Sequence, residues 1–294
     1  MTAKKLNINS QSSRSRREIA LWLAIACILI AGVGFSWSPT PFAQALAVIF
    51  IACALVHAGV FYGPREALVL FILCIAITFA MENIGAATGF PFGNYHFVAD
   101  AGLPRVGTIP IVVGPLWFGA GYFSWVVASI LLDGSDRRLD RPLEFIALPV
   151  IAAFVMTQWD LVMDRSASTI GKAWIWHDGG ADFGVPLSNY LGWLLTSWLF
   201  FQAFAFYLRR QLPQLPPSGT VLSRKLQAIA ILFYVCLSLT HVIPWVMGQS
   251  GEVVDGAGKT WQVHDLREST VAIMLFTVCF SALLATLRLL KQNR

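Results

Sequence analysis

The 294 residues are 56% hydrophobic and only 13% charged, where an average soluble protein is about 25% charged. With a mean hydropathy of +0.65, this composition excludes an ordinary soluble domain and also a disordered chain, which needs low hydrophobicity and high charge. The formal net charge of +5 does not indicate nucleic-acid binding, because the basic residues lie in short segments beside apolar runs.

Eight apolar runs follow one another along the chain, and about 20 apolar residues suffice to cross a bilayer. The runs are Ile19–Ser36, Phe42–Tyr62, Ala67–Met81, Gly107–Leu132, Leu143–Leu161, Leu187–Leu208, Leu226–Met247 and Thr270–Leu287. We therefore predict an all-α polytopic integral membrane bundle of about eight transmembrane helices. It would form a single domain over residues 19–294, preceded by a cytoplasmic polar head over residues 1–18.

The polar head and the first run also have the pattern of a signal peptide. The candidate cleavage triplet, Ala43-Gln44-Ala45, lies too far beyond the run for that interpretation, and the run is long enough to span. We predict an uncleaved first helix. The five cysteines are scattered through apolar runs, which predicts neither a disulfide framework nor a metal site.

Lysine and arginine are distributed unevenly between the two sides of this arrangement. With the N-terminus inside, 16 of the 21 basic residues lie on the inner side and 5 on the outer side. Because positively charged loops are retained in the cytoplasm, both termini are predicted to be cytoplasmic. The expected location is the inner (plasma) membrane of the cell, with several passes.

Three acidic residues occupy predicted outer ends of apolar runs. Glu82 follows the third run, and Asp160 lies at the end of the fifth, four residues before Asp164. Residues four apart share one helix face. An ionisable group within a span costs roughly 2.5–3.5 kcal/mol on insertion scales and is functional by default. The alternative is that these carboxylates are hydrated and inert in the headgroup zone.

Glycine, proline and aromatic residues fill the loops beside these acids, which is typical of tight loops packed against apolar material. The seventh run also ends outward in a histidine. The candidate binding residues are Asn83, Asn94, Tyr95, Trp174, Trp176, Asn189, Tyr190 and His241. The alternative for the aromatic residues is an ordinary belt at the membrane interface.

Two groups of motifs carry a resemblance to a known family. Glu82-Asn83-Ile84-Gly85 followed by Thr88-Gly89-Phe90-Pro91-Phe92-Gly93-Asn94-Tyr95 resembles the first signature of the membrane-embedded carotenoid 1,2-hydratases, the bisanhydrobacterioruberin and γ-carotene hydratase-like proteins. Trp159-Asp160-x3-Asp164, Trp174-x-Trp176 and Gly184-Val185-Pro186-Leu187-x-Asn189-Tyr190-x-Gly192-Trp193 resemble the second. The resemblance covers about residues 67–201, and Arg165 stands where relatives are expected to have proline.

The resemblance implies a hydro-lyase that adds water across the terminal double bond of an acyclic (ψ) carotenoid end group, giving a tertiary alcohol. The expected partners are water, the lipid bilayer and an acyclic carotenoid such as lycopene, γ-carotene or a C50 precursor. Other carotenoid-pathway enzymes are further candidate partners. No metal or other cofactor is expected.

The residues suit this chemistry, which starts with protonation of an alkene carbon. Burial and a neighbouring carboxylate both raise a carboxyl pKa, so Asp160 is our candidate proton donor, with Glu82 as its partner or the water base and Asp164 as the third acid. Desolvated aromatic rings stabilise a cation by about 2 kcal/mol. A second carboxylate or His241 would position the water, and the three asparagines would hold the water or the carboxyls.

Three other functions remain open at this point. An intramembrane prenyltransferase would need a second aspartate-rich run for magnesium, which the outer loops lack. A lycopene cyclase begins with the same protonation, but an internal alkene captures the cation. A small-molecule transporter would place ionisable groups along a path to the inner face, whereas the candidates here crowd at one side.

Overall fold

A computed structural model describes residues 22–23, 26, 39–98, 104–216 and 219–291. Within these residues, six helices are long and apolar enough to cross a membrane, and another apolar helical stretch, Ala45–Phe61, is shorter. The protein is therefore an all-α polytopic membrane bundle. The polar head and the first predicted run lie outside the described residues, apart from Trp22, Leu23 and Ala26, which are helical.

Nine α-helices and six short strands follow one another along the described part of the chain. The helices are α1 (Pro39–Phe61), α2 (Pro64–Thr88), α3 (Val113–Leu131), α4 (Pro142–Asp164), α5 (Leu187–Arg209), α6 (Val221–Leu239), α7 (Val242–Val246), α8 (Val263–Met274) and α9 (Phe280–Lys291). The strands are β1 (Tyr95–Phe97), β2 (Arg105–Val106), β3 (Ile109–Pro110), β4 (Trp174–Trp176), β5 (Glu252–Val254) and β6 (Thr260–Gln262). π-Helical turns extend α4 over Arg165–Ile170 and join α8 to α9 over Leu275–Cys279.

Proline and glycine fix the ends of the helices that carry the acidic residues. Pro64 and Pro142 open α2 and α4, where the missing proline N–H removes no helical hydrogen bond. Gly89 ends α2 in the left-handed conformation (φ 78°), and its N–H donates to the Gly85 carbonyl at 2.7 Å. This cap turns the chain directly into the segment that leads to β1.

The start of the fourth predicted run differs from the structure. That run was expected from Gly107, but α3 begins at Val113 because residues 105–110 pair as the β2–β3 hairpin. The seventh predicted run, Leu226–Met247, corresponds to one apolar span over Ser223–Val246. A short turn after Leu239 divides this span into α6 and α7, and Pro244, which has no N–H to donate to the preceding turn, contributes to the division.

The central element of the bundle is α3, with 83% of its most apolar stretch buried inside the protein. It packs against α1, α2, α4, α6 and α9. For α2 the buried share is only 33%, and its outward residues are large and apolar, including Leu68, Ile72 and Ile84. Such a distribution fits a bundle whose outer surface faces lipid rather than water.

All six strands lie at one end of the bundle, which we call the hairpin end. It comprises residues 89–98, 104–112, 171–186 and 248–262. There β1 pairs with β4, β2 with β3, and β5 with β6, all antiparallel. The β1–β4 pair joins the segment after α2 to the segment after α4. Glu82, Asp160 and Asp164 therefore approach the same covered end from two different helices.

Candidate active site

Asp160 and Asp164 form a buried carboxyl pair on one face of α4. Their exposed fractions are 0% and 1%, and one side chain on α5 connects them. Asn189 Nδ2 donates to Asp160 Oδ2 at 2.7 Å and to Asp164 Oδ2 at 2.5 Å. An amide group has two N–H donors, so this single nitrogen accounts for both bonds. The i, i+4 spacing thus places the two carboxyls side by side, as the sequence predicts.

The remaining oxygens of the pair have unequal environments. Asp164 Oδ1 accepts from the Trp174 indole N–H at 2.8 Å. Among the described residues, Asp160 Oδ1 has no hydrogen-bond partner although it is buried. A buried polar atom without a partner is energetically unfavourable and deserves a functional explanation. Asp160 Oδ1 is therefore the atom of this pair that is free to meet a substrate.

Glu82 brings a third carboxyl from α2 to the same place. It is 6% exposed, and its Oε2 accepts a short hydrogen bond from the Tyr95 hydroxyl. The Trp117 side chain also hydrogen-bonds this carboxyl. Glu82, Asp164 and Asp182 lie close enough for their charges to act on Asp160. The carboxyls of α2 and α4 thus belong to one electrostatic cluster.

Tyr95 acts as a hydrogen-bond donor to Glu82 in this cluster. Burial, followed by the neighbouring Glu82 charge, raises the pKa of Tyr95 far above its ordinary range. The phenol therefore keeps its proton at every physiological pH and points it at Glu82. A hydroxyl held in this way orients the carboxyl without competing for its chemistry.

An aromatic layer carried by the β1–β4 pair covers the carboxyl cluster. Tyr95 pairs with Trp176 and Phe97 with Trp174, so the four rings share one face of the two-stranded sheet. Ring centroids lie 5.0 Å apart for Tyr95–Trp176 and 5.8 Å apart for Phe97–Trp174. The Trp176 indole lies near Asp164, but in a geometry that leaves its buried N–H without a hydrogen bond to any described residue.

Phe92 is the wedge between α2 and α5 beneath this layer. Its ring sits against two helical glycines: a Cβ at Gly85 would lie 2.7 Å from Phe92 Cδ2, and a Cβ at Gly192 would lie 2.4 Å from Phe92 Cδ1. Both distances are far inside van der Waals contact. The two glycines therefore allow the helices bearing Glu82 and Asn189 to close around one aromatic ring.

This packing predicts the effect of adding one methyl group at Gly192. Gly192→Ala must displace Phe92, and overpacking of a well-packed site costs about 1–3 kcal/mol, so we expect a thermal midpoint several degrees lower. Gly59→Ala on α1 is the matched control, because a Cβ there meets only Pro64 Cα, at 4.0 Å. Thermal unfolding in detergent checks both variants. Equal midpoints for the two would contradict the wedge, and recovery in Gly192→Ala with Phe92→Leu would support it.

Beside the cluster, a buried arginine holds the loop before α5. Arg165 is 0% exposed, and it donates to Asp182 Oδ2 at 2.6 Å and to Ser269 Oγ at 2.8 Å. Tyr190 donates to the same Asp182 oxygen at 2.5 Å. These bonds tie the π-helical turn, the loop at Asp182 and the first turn of α5 together. Arg165 thereby contributes to placing Asn189 next to the carboxyl pair.

The structure brings together most of the predicted site residues. Those in direct contact with the carboxyl cluster or its aromatic layer are Glu82, Asp160, Asp164, Tyr95, Trp174, Trp176 and Asn189. Tyr190 joins through Asp182. Sequence reasoning missed Asp182, Phe92 and Trp117. Asp182 and Phe92 lie in loops without a hydropathy signal, and Trp117 lies within an apolar run, where a tryptophan is ordinary.

Two predicted residues are engaged elsewhere. Asn83 holds the β2–β3 turn: its Nδ2 donates to the Phe79 and Val106 carbonyls, and its Oδ1 accepts from the Thr108 N–H at 3.1 Å. Asn94 is exposed and donates to Asp178 Oδ2 at 2.6 Å. The expectation that these two side chains meet the carboxyls is therefore corrected. His241 stays a predicted site residue; the charges that act on it are those of Arg267 and Arg165.

The described part of the chain contains no group of three or more His, Cys, Asp or Glu side chains placed to hold a metal ion. The site contains three buried carboxyls, an amide donor and a phenol donor directed at them, and a layer of aromatic rings. This arrangement can transfer protons in a water-poor environment and can stabilise positive charge at ring faces.

Comparison with known proteins gives two findings. The model of the family described as "Carotenoid biosynthesis protein" matches residues 42–254, which contain every member of the carboxyl cluster and its aromatic layer. A curated protein from Haloarcula japonica named bisanhydrobacterioruberin hydratase is 28% identical over 165 residues, which is 54% of each chain. The chain thus aligns with about half the length of that relative. No solved structure matches the chain.

Proposed function

Because the chain belongs to the carotenoid biosynthesis protein family, we propose that it is a carotenoid hydratase. It adds water across the terminal double bond of an acyclic (ψ) carotenoid end group and forms a tertiary alcohol. The name of the Haloarcula japonica relative is that of a carotenoid hydratase, which supports this reaction class. The observation that carries the proposal is the Asn189-bridged Asp160–Asp164 pair with Asp160 Oδ1 left unpartnered.

The pair is suited to hold one proton. Two buried negative charges bonded to the same amide nitrogen repel each other, and no described arginine, lysine or histidine forms an ion pair with either carboxyl. Asp160 and Asp164 therefore share one proton in the resting state, as close carboxyl pairs do. Asn189 and Trp174 occupy the other oxygens as donors, which leaves Asp160 Oδ1 as the position of the acidic O–H.

Hydration begins when Asp160 gives this proton to the less substituted carbon of the terminal alkene. The C=C π electrons form the new C–H bond, the O–H bond breaks, and the adjacent carbon becomes a tertiary carbocation. Trp176 and Tyr95 lie in the aromatic layer over the carboxyls, and the faces of such rings stabilise a desolvated cation by about 2 kcal/mol. The Asp160–Asp164 pair, now fully ionised, adds electrostatic stabilisation.

Water completes the reaction by forming the C–O bond. A base must remove one of its protons as the bond forms, and Glu82 is our candidate for this role. Tyr95 fixes the orientation of the Glu82 carboxyl, and Glu82 lies within electrostatic range of Asp160. Return of the proton from Glu82 to the pair restores the resting state, so the cycle consumes only the carotenoid and water.

The carotenoid reaches this site from the bilayer. Ile84 on α2, Phe90 in the following turn and Leu191 on α5 are exposed at the hairpin end. Ile84 and Leu191 are next in sequence to Gly85 and Gly192, the two glycines that contact Phe92. A long polyene dissolved in lipid would insert its end group here, while the rest of the chain stays in the hydrocarbon. The proposed location is the plasma membrane, with the hairpin end away from the cytoplasm.

The product of a defined substrate tests the function. The full chain is expressed in a host that makes lycopene, and its pigments are analysed by chromatography and mass spectrometry, with γ-carotene and C50 precursors as further substrates. We expect carotenoids heavier by one water for each hydrated end. A cyclised product of unchanged mass would replace hydratase by cyclase. Unaltered carotenoid with all substrates would refute the proposal.

A further inference from the structure

A narrow polar cleft opens at the hairpin end, next to the aromatic layer. It lies between the π-helical turn after α4, strand β4 and the β5–β6 hairpin, and its lining includes Ser168, Thr169, Trp176, Gly184, Asp255 and Gly256. Its size corresponds to about one water molecule.

The lining offers the hydrogen-bonding partners that a water needs, which number about two to four. Ser168 Oγ and Thr169 Oγ1 donate to the Asp164 and Phe183 carbonyls, so both oxygens retain acceptor capacity toward the cleft. Asp255 Oδ2 accepts from the Trp261 indole and can accept a second bond. These oxygens and the Lys172 side chain give the cleft a polar lining.

Glycine keeps the cleft open. Gly184 has φ 92°, a conformation that side-chain-bearing residues rarely adopt. A Cβ at this position would lie 2.7 Å from Asp255 Cβ, 3.1 Å from Thr169 Oγ1 and 3.2 Å from Asp255 Oδ2. A side chain at residue 184 would therefore collide with the β5–β6 hairpin and with the residues that line the cleft. The hairpin is itself fastened here, since Lys172 Nζ donates to the Val254 carbonyl.

Trp176 separates the cleft from the carboxyl cluster. Its ring lines the cleft, it is near Asp164, and it packs against Tyr95, the partner of Glu82. Its indole N–H is buried and unpartnered among the described residues. The Trp176 side chain thus reaches from the cleft to the carboxyl cluster, and its N–H is the donor that a water passing between the two would meet.

We propose that this cleft is the path by which the water substrate enters the active site. The inference rests on the proposed hydratase function, because only a reaction that consumes water needs such a path. Asp160, Asp164 and Glu82 are 0%, 1% and 6% exposed, and the β1–β4 aromatic layer covers them. The carotenoid arrives through lipid, so water requires a separate route, and the cleft is a polar opening that only Trp176 separates from the carboxyl cluster.

Two substitutions at Ser168 test the path. Ser168→Val adds methyl groups to the cleft, whereas Ser168→Ala removes the hydroxyl and leaves the space. Both lose the bond to the Asp164 carbonyl. We expect Ser168→Val to lower the hydration rate by about tenfold or more, since misplacement of a reactant has effects of this size, and Ser168→Ala to stay within about threefold. Thr157→Val, which removes a similar intrahelical hydroxyl bond on α4, is the control for hydroxyl loss.

Deuterium distinguishes a blocked path from a damaged acid. In D2O the acid adds a deuteron to the alkene carbon and forms the carbocation. Without water to capture it, a neighbouring C–H bond breaks, its proton returns to the carboxylate and its electrons re-form the alkene. We therefore expect Ser168→Val to yield recovered carotenoid with several-fold more deuterium per hydrated product than wild type.

The possible results distinguish a failure of the proposed water path from a failure of the proposed hydratase function. Equal hydration by Ser168→Val and wild type would overturn the path, as would an equal loss in Ser168→Val and Ser168→Ala. A loss in Ser168→Val without a rise in deuterium exchange would also overturn it. Failure of the wild type to hydrate any carotenoid or exchange deuterium would instead refute the proposed function.

Discussion

Asp160→Asn is expected to lower carotenoid hydration by about a thousandfold or more. Asparagine retains the shape of the side chain and an oxygen that can accept from Asn189, so the connection between α4 and α5 is preserved. What is lost is the acidic proton at Oδ1. General acid catalysis contributes about 10²–10⁴-fold, and an alkene is too weak a base to take a proton from any weaker acid in the site. Product analysis in membranes containing lycopene measures the rate.

Two further carboxyl variants make this prediction specific. Asp164→Asn removes the partner that shares the proton but leaves Asp160 Oδ1 acidic, so its expected loss is smaller, about tenfold to a hundredfold. Asp133→Asn is the matched control, because this exposed aspartate pairs with Arg288 at the opposite end of the bundle. Hydration by Asp160→Asn at the wild-type rate would remove Asp160 as the acid. A greater loss in Asp164→Asn would transfer that role to Asp164.

The carboxyl pair could be predicted from the sequence because its geometry is local. Residues four apart lie on one face of any helix, and the energetic penalty for charge in an apolar run marks them as functional. The Asn189 bridge depends on how α4 and α5 dock, 25 residues or more apart in the chain. The same holds for the contacts of Tyr95 with Trp176, which require two distant loops to pair as strands.

The errors at Asn83 and Asn94 have a simple geometric origin. Consecutive helical residues do not share a face, so Asn83 points away from the direction of Glu82 and toward the β2–β3 turn. Neighbours along an extended strand alternate sides, so the residues beside Tyr95 face away from the cluster. Proximity in a motif was taken as proximity in space, although the periodicity of each element indicates the opposite.

Glu82→Gln is expected to lower hydration by about a hundredfold or more while leaving alkene protonation intact. Glutamine can still accept the Tyr95 hydrogen bond through its side-chain oxygen, so the aromatic layer stays in place. It cannot take a proton from water, and loss of a general base costs about 10²–10⁴-fold. The two acid–base roles therefore predict opposite isotope behaviour. In D2O, Glu82→Gln should place deuterium in recovered carotenoid, whereas Asp160→Asn should place none.

Tyr95→Phe tests the role of the hydroxyl that orients the Glu82 carboxyl. This variant keeps the Glu82 carboxylate and the aromatic ring but removes the hydroxyl that orients the carboxyl, so we expect a loss of about tenfold, smaller than that of Glu82→Gln. If Glu82→Gln gave neither product nor deuterium exchange, Glu82 would be needed for protonation, and the cluster would act as one acid of three carboxyls. If Tyr95→Phe were as inactive as Glu82→Gln, the phenol itself would take part in the proton transfer. Asp160→Asn, Glu82→Gln and Tyr95→Phe thus test the acid, the base and the orienting hydroxyl one at a time, because each variant removes one proton donor or acceptor and preserves the packing around it.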